Sequence, residues 1–315
     1  FERGVYVCEG KDYEMCDTFL PTVNPEAPFE LTAEESELVE KLHHSFRVSD
    51  KLQRHIRRLF QQGCMYNVCN GNLLFHASVP LNADGSLKEV PLPDGKFAGK
   101  ELMHRIGMIM RSAFRPEAPQ PEREYARDYF WYLWCGPDSP LFGKDRMTTF
   151  ERYFLTDKEM HTEQKGYYFQ FRDDPAVCDR ILDAFGVQGP YRHIINGHVP
   201  VHVAKGENPS KAGGKLMVID GGFSRAYHRT TGIAGYTPVY HSRGFQLIQH
   251  EPFTSTKEAI ENGLDIESST QIVEMTGHRM RVRDTDKGHE IQAQITDLRN
   301  LVYAYRNGLI KEQQG

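Results

Sequence analysis

Hydrophobic residues along this chain follow two different periods. Between residues 33 and 62 they recur every three or four positions, as in Leu38, Val39 and Leu42, which marks helix. The first helix has a start signal: Thr32 followed three residues later by Glu35 is a capping box. Ser49 caps a second helix, "DKLQRHIRRLFQQ", which runs to a terminating Gly63. The residues before them, 1–30, read as irregular and turn-rich. "FAGKELMHRIGMIMRSAF" (97–114) is helical again, and "DPAVCDRILDAFG" places Pro175 in a first turn and Gly186 after a last one. "EIQAQITDLRNLVYAYRNG" keeps Ile291, Ile295, Leu298 and Val302 on one helical face. "PEAPQPERE" (116–124) reads as a loop or short linker.

Elsewhere the pattern is that of strands. "CMYNVC" and "NLLFHASV" flank Asn70-Gly71, the strongest hairpin signal in the chain. "HIIN" (193–196) and "GKLMVIDGG" (214–222) are buried-strand patterns that stop at glycine. Further hairpins are expected around Ser242-Arg243-Gly244 and around Thr276-Gly277. Helices, hairpins and single strand–helix units in this order predict a mixed α/β fold, not a regular βαβ series.

Composition narrows the classes. With 315 residues, 39% hydrophobic and 26% charged, the chain can bury a sizeable core. A net charge of −5 gives no footprint for nucleic acid, and no apolar run is long enough for a membrane helix. Six cysteines without a C-x-x-C pair predict reduced thiols and a cytoplasmic protein.

Candidate chemistry sits at the strand ends. His198 ends "HIINGH" and His76 ends "NLLFH", the same strand-then-loop grammar twice. A strand end is a rigid platform, and neutral imidazole suits Zn, Mn or Fe, so the pair is a candidate metal site. The alternative is two histidines bonded to backbone. His202 is a third candidate or a surface residue beyond the turn. Asp220, Gly221 and Gly222 stand before Ser224, a possible helix cap, and are either an anion site or a plain tight turn. Lys144, Arg146 and Arg152, in an aromatic-rich stretch, offer cations for a sugar phosphate, or pair with Asp145 and Glu151. Arg225 and Tyr227 are a further pair.

Long blocks, among them "PTVNPEAPFELTAEE", "YNVCNGNLLFHASVPLN", "WYLWCGPDSPLFGKDRMTTFERYF", "IINGHVPVHV" and "GKLMVIDGGFSRAYHRTTGIAGYT", resemble the C-terminal half of the bacterial class 3 fructose-1,6-bisphosphatases. The resemblance covers nearly the whole chain. It implies a calcineurin-like metallophosphoesterase: a two-sheet sandwich flanked by helices, of which this chain holds the C-terminal part plus a helical insertion at about 97–190. Residues 1–63 would be an N-terminal segment, and 64–315 the metallophosphoesterase-like part. It implies hydrolysis of fructose 1,6-bisphosphate to fructose 6-phosphate in gluconeogenesis, with a dinuclear manganese site. His76 matches the family's lone histidine and His198 its Gly-His, both on one ion.

The chain departs from that pattern in several places. It contains no Asp-x-His, Gly-Asp-x-x-Asp-Arg or Gly-Asn-His-Asp motif, and it opens on Phe1. The expectation is that the bridging aspartate, the other metal ligands and the general-acid histidine lie upstream, and that the missing N-terminal half is a partner of this chain. Ala77 stands where the family often has glycine, and Pro200 stands where a Gly-His-x-His motif would place its second histidine. A homo-oligomer is expected, since the missing half would leave a sheet face uncovered. Two other readings remain: a non-catalytic sugar-phosphate-binding or regulatory module, and a phosphatase of another substrate class.

Overall fold

The structure is a computed structural model, and it describes residues 3–222, 224–233, 235–251, 255–263 and 268–310. In chain order the elements are β1 (Val5–Cys8), β2 (Lys11–Glu14), α1 (Ala33–Val48), α2 (Asp50–Gln62), β3 (Tyr66–Cys69), β4 (Asn72–Phe75), β5 (Val90–Leu92) and β6 (Gly95–Phe97). Helices α3 (Gly99–Ser112), α4 (Gln120–Cys135), α5 (Thr149–Phe154), α6 (Tyr167–Phe171) and α7 (Pro175–Ala184) follow. Then come β7 (His193–Asn196), β8 (Ser210–Lys211), β9 (Leu216–Val218), α8 (Arg225–Thr231), β10 (Gly235–His241), β11 (Gly244–His250), α9 (Thr256–Asn262), β12 (Ser268–Met275) and α10 (Asp286–Arg306). No described helix is long and apolar enough to cross a membrane.

The chain divides into two compact units. The first comprises Phe1–Met65 and Lys88–Tyr167, the second Tyr66–Leu87 and Tyr168–Gly315. The chain crosses between the units at 65/66, 87/88 and 167/168.

In the first unit, Thr32 and Glu35 form the expected capping box, and Ser49 caps α2. Neither helix buries a residue: Leu38, Val39, Leu42 and Phe46 are all exposed. Two expectations are corrected here. Residues 5–14 are not irregular but form the β1–β2 hairpin. The stretch expected as a loop at 116–124 gives its second half to α4, because Pro121 sits in the first turn, where its missing N–H costs nothing.

The second unit is built on a five-stranded sheet of order β3-β4-β7-β9-β8. Asn70 and Gly71 take φ values of 50° and 76°, the left-handed pair that a two-residue hairpin turn requires, and they join β3 to β4. Strands β4, β7 and β9 run parallel, in register Leu73↔Ile194 and Ile194↔Leu216. Their unbroken apolar runs reflect burial on both faces: Leu73, Ile194, Leu216 and Met217 are each 0% exposed. Helix α7, capped by Asp174, buries Val177, Cys178, Ile181 and Leu182 before the chain enters β7. A three-stranded antiparallel sheet, β10-β11-β12, supplies Phe245 to a cluster with Ile195 and Met217, joined by Leu74, Ile219, Tyr240 and Val273. The hairpin expected at Thr276-Gly277 is absent: β12 pairs with β11 up to Met275, and the chain then reaches α10 through a 3-10 turn at Val282–Asp284. The predicted apolar stripe of α10 forms, but Leu298 and Val302 remain exposed and the only buried residue of the helix is Gly288.

Polar side chains also lie inside this core, His193 among them. His193 is 4% exposed, with Nδ1 3.0 Å from Asn72 Oδ1. The Asn72 amide nitrogen donates to Cys69 O and Asn70 O, so its oxygen accepts and His193 Nδ1 carries the proton. The Nε2 atom lies 3.1 Å from Glu274 Oε2. Burial, and secondarily Lys215, push the His193 pKa down to about 4, while burial raises that of Glu274. The stability tied to His193 is therefore present above its unfolded pKa of 6.5 and is lost as pH falls toward 4. That loss is on the order of 3 kcal/mol if fully expressed. The raised Glu274 returns part of it at the acid end, since a carboxyl with a raised pKa gains stability on protonation. The melting temperature should accordingly fall between about pH 6.5 and 5, and His193→Gln should flatten that slope. An unchanged slope in the variant would remove His193 as the cause.

Candidate functional site

Parallel strands deliver their carboxyl ends to one edge of a sheet, the usual place for ligands in open α/β sheets. Here β4 ends into His76, β7 into Gly197-His198, and β9 into Ile219-Asp220-Gly221-Gly222. His76 Nε2 lies 3.0 Å from His198 Nδ1, with ring centroids 4.9 Å apart at 66°. His198 reaches this position with a φ of 68°, the left-handed region that a side chain occupies at about 1–2 kcal/mol per residue. Burial lowers the His76 pKa, and the charge of Asp220 works against that.

The loops are cross-tied. Gly197 N donates to His76 O at 2.9 Å, and the Asn196 amide donates to Ala77 O at 2.8 Å. Val201 N donates to Asp220 O at 2.8 Å, and Gly222 N to Asp220 Oδ1 at 2.9 Å. A Cβ added at Gly197 would stand 3.5 Å from the Asp220 Cβ, an ordinary contact.

Two nitrogens on one ion, each with a bond of about 2 Å, lie roughly 3 Å apart. The histidine pair therefore fits two positions of one coordination sphere. Among the described residues there is no group of three or more His, Cys, Asp or Glu able to hold an ion.

A profile of the Firmicute fructose-1,6-bisphosphatase family matches residues 1–307. The chain belongs to that family. A fructose-1,6-bisphosphatase class 3 of Phocaeicola vulgatus is 62% identical over 314 residues, covering 99% of this chain and 47% of that protein. The Bacteroides fragilis class 3 protein is 58% identical, with 99% and 47% covered, and that of Porphyromonas gingivalis 53%, with 100% and 48% covered. The chain spans about half the length of the curated relatives it matches. No solved structure matches it significantly.

The remaining candidate residues of this bisphosphatase-family chain divide between the two units. Lys144, Arg146 and Arg152 belong to the first unit, and the histidines to the second. Lys144 Nζ donates to Glu163 Oε2 at 2.6 Å. Arg152 donates to Thr148 Oγ1 at 2.9 Å and lies 3.6 Å from Glu163. Burial raises the Glu163 pKa, but the bonds from Lys144 and Thr148 outweigh it and hold the carboxyl below its usual range. Two of the three cations thus serve a local network around Thr148, which is 0% exposed, and their partner is Glu163 and not the expected Glu151. Arg146 is 3.8 Å from Asp145.

Gly221 and Gly222 are buried, and their missing side chains are explained by packing. A Cβ at Gly221 would meet Gly235 Cα at 2.5 Å, and one at Gly222 would meet Tyr227 Cβ at 2.6 Å. Ser224 occupies the N-cap position of α8 without a side-chain capping bond. Arg225 opens that helix, but its side chain lies outside the described residues. His202 Nδ1 lies 3.4 Å from Thr230 O, and its backbone N–H donates to Glu207. Nothing in the sequence said that Asn196 and Ala77 tie the histidine loops together. An asparagine inside an apolar run is the one hint available, and only strand pairing says whom it meets.

Gly221→Ala should cost roughly 1–3 kcal/mol by overpacking, whereas Gly197→Ala should leave the denaturation midpoint nearly unchanged. Equal costs in chemical denaturation would contradict this account of the two glycines.

Proposed function

We propose that this chain carries part of the active site of an enzyme that hydrolyses fructose 1,6-bisphosphate to fructose 6-phosphate and phosphate. Its relatives bear that name, and the observation that carries the reading to this chain is the 3.0 Å approach of His76 and His198 at the ends of adjacent parallel strands. In this reading the two histidines are ligands of one ion of a manganese pair, with Asp220 beside them. The other ligands and the bridging carboxylate come from the remainder of the full-length protein. When bound, such ions polarise the phosphoryl group and supply a nucleophilic hydroxide. The chain's own task is to present two imidazole nitrogens at a fixed spacing. The five-stranded sheet and the β10-β11-β12 sheet supply the two layers of a metallophosphoesterase-type sandwich in this proposal, supported by the Ile195–Met217–Phe245 cluster between them. The exposed apolar positions of α1 and α10 support packing against the rest of the protein, with self-association expected when the chain is isolated. Six free cysteines support a reducing, cytoplasmic setting, and the gluconeogenic role follows from the proposed reaction.

Phosphate release from fructose 1,6-bisphosphate in the presence of Mn2+ tests the reading. This chain alone should give none, because two histidines supply neither the bridge nor the attacking water. The full-length protein should turn over, and His76→Ala or His198→Ala within it should lower kcat by about 100-fold or more. Robust turnover by the 315-residue chain alone, or full-length variants with undiminished activity, would overturn the assignment.

A further inference from the structure

We propose that Asn196 is the positioning residue that sets the spacing of the two histidines. The proposal rests on the reading of His76 and His198 as ligands of one ion.

Three observations carry it. The β4–β7 ladder ends at Leu74↔Ile195, two residues before His76 on the β4 side and three before His198 on the β7 side. Beyond that point parallel strands have no obligation to stay together, and each histidine stands on a loop. Two bonds continue the pairing past the ladder: Gly197 N to His76 O at 2.9 Å and Asn196 Nδ2 to Ala77 O at 2.8 Å. The second is the only one of the two made by a side chain, and it grips the carbonyl immediately after His76. Asn196 is 1% exposed, and Ala77 and Leu73 are each 0% exposed, so water cannot replace that bond. The Asn196 amide oxygen and the Tyr168 hydroxyl are both buried, and among the described residues neither has a hydrogen-bond partner. Burial raises the phenol pKa, and Asn196 is among the groups that hold it down. An amide held by one bond to Ala77 O while its oxygen stays buried and unpartnered costs stability and is not explained by stability alone. It is explained if that bond fixes a geometry that an aliphatic residue at the same strand position would leave free. His198, held at a φ of 68° two residues further on, needs such a fixed base for its imidazole to meet His76 and not solvent.

Heteronuclear NMR of the 315-residue chain with 15N-labelled imidazoles tests this. Signals are assigned through His76→Gln and His198→Gln, and Cd2+ alone is the titrant. Asn196→Ala should move both imidazole signals of the metal-free chain and weaken Cd2+ binding by 10–100-fold, the range for losing an outer-shell partner. Ile181→Ala, a core truncation on α7, is the stability control and should leave both readouts alone at a similar loss of melting temperature. Asn196→Ser keeps a donor and should fall between wild type and Asn196→Ala, and it carries the comparison if the alanine variant does not fold. Unmoved imidazole signals in the Asn196 variants, or equal changes in Ile181→Ala, would overturn the proposal. Wild type that takes no Cd2+ on these histidines would defeat the ligand reading, while the metal-free signals would still decide the role of Asn196.

Discussion

The parallel pairing of β4, β7 and β9 is the constraint from which the rest of the second unit follows. Parallel strands must be covered on both faces, and here α7 and the β10-β11-β12 sheet place apolar side chains against them. Parallel strands also end at one edge. Three loops from widely separated parts of the chain, after residues 75, 196 and 218, are thereby brought to a single place. Residues 122 positions apart in sequence become hydrogen-bond neighbours because two strands share a direction and a register.

That edge is assembled with backbone and side-chain ties, not with charge. Asp220 uses its carbonyl on the His198 loop and its carboxylate on Gly222, and Gly197 and Asn196 hold the loop of His76. The cationic cluster of Lys144 and Arg152 in the first unit is likewise committed, to Glu163 and Thr148. In the described residues Lys144 and Arg152 thus meet a carboxylate and a hydroxyl of their own unit.

At the opposite end of the same strands, the buried His193–Asn72–Glu274 chain joins β4, β7 and β12. An imidazole kept neutral by burial adds polar specificity to a sheet that is otherwise apolar, and it fixes which residue of β7 faces Asn72. The two histidines of the site and the histidine of the core thus sit on one strand system with different tasks: His193 fixes register, while His198 closes the edge.

Local rules were enough for much of this molecule. The capping box at Thr32, the turn at Asn70-Gly71 and the entry of α7 at Pro175 are set by residues within a few positions of each other, so the sequence determined them. The long family blocks carried the assignment to the bisphosphatase family, and the strand-end grammar singled out His76 and His198. Tertiary structure decided what depends on distant partners. It gave Pro121 a helix, withheld a hairpin from Thr276-Gly277 because β12 found its partner in β11, and left the stripe of α10 uncovered. It assigned Glu163 to Lys144 and turned the double glycine into a packing requirement of Gly235 and Tyr227. It also gave Asn196 a role that no neighbouring residue announces. Hydrogen-bond partners across a sheet are set by register and direction, and these belong to pairs of strands, not to the segment in which a residue lies.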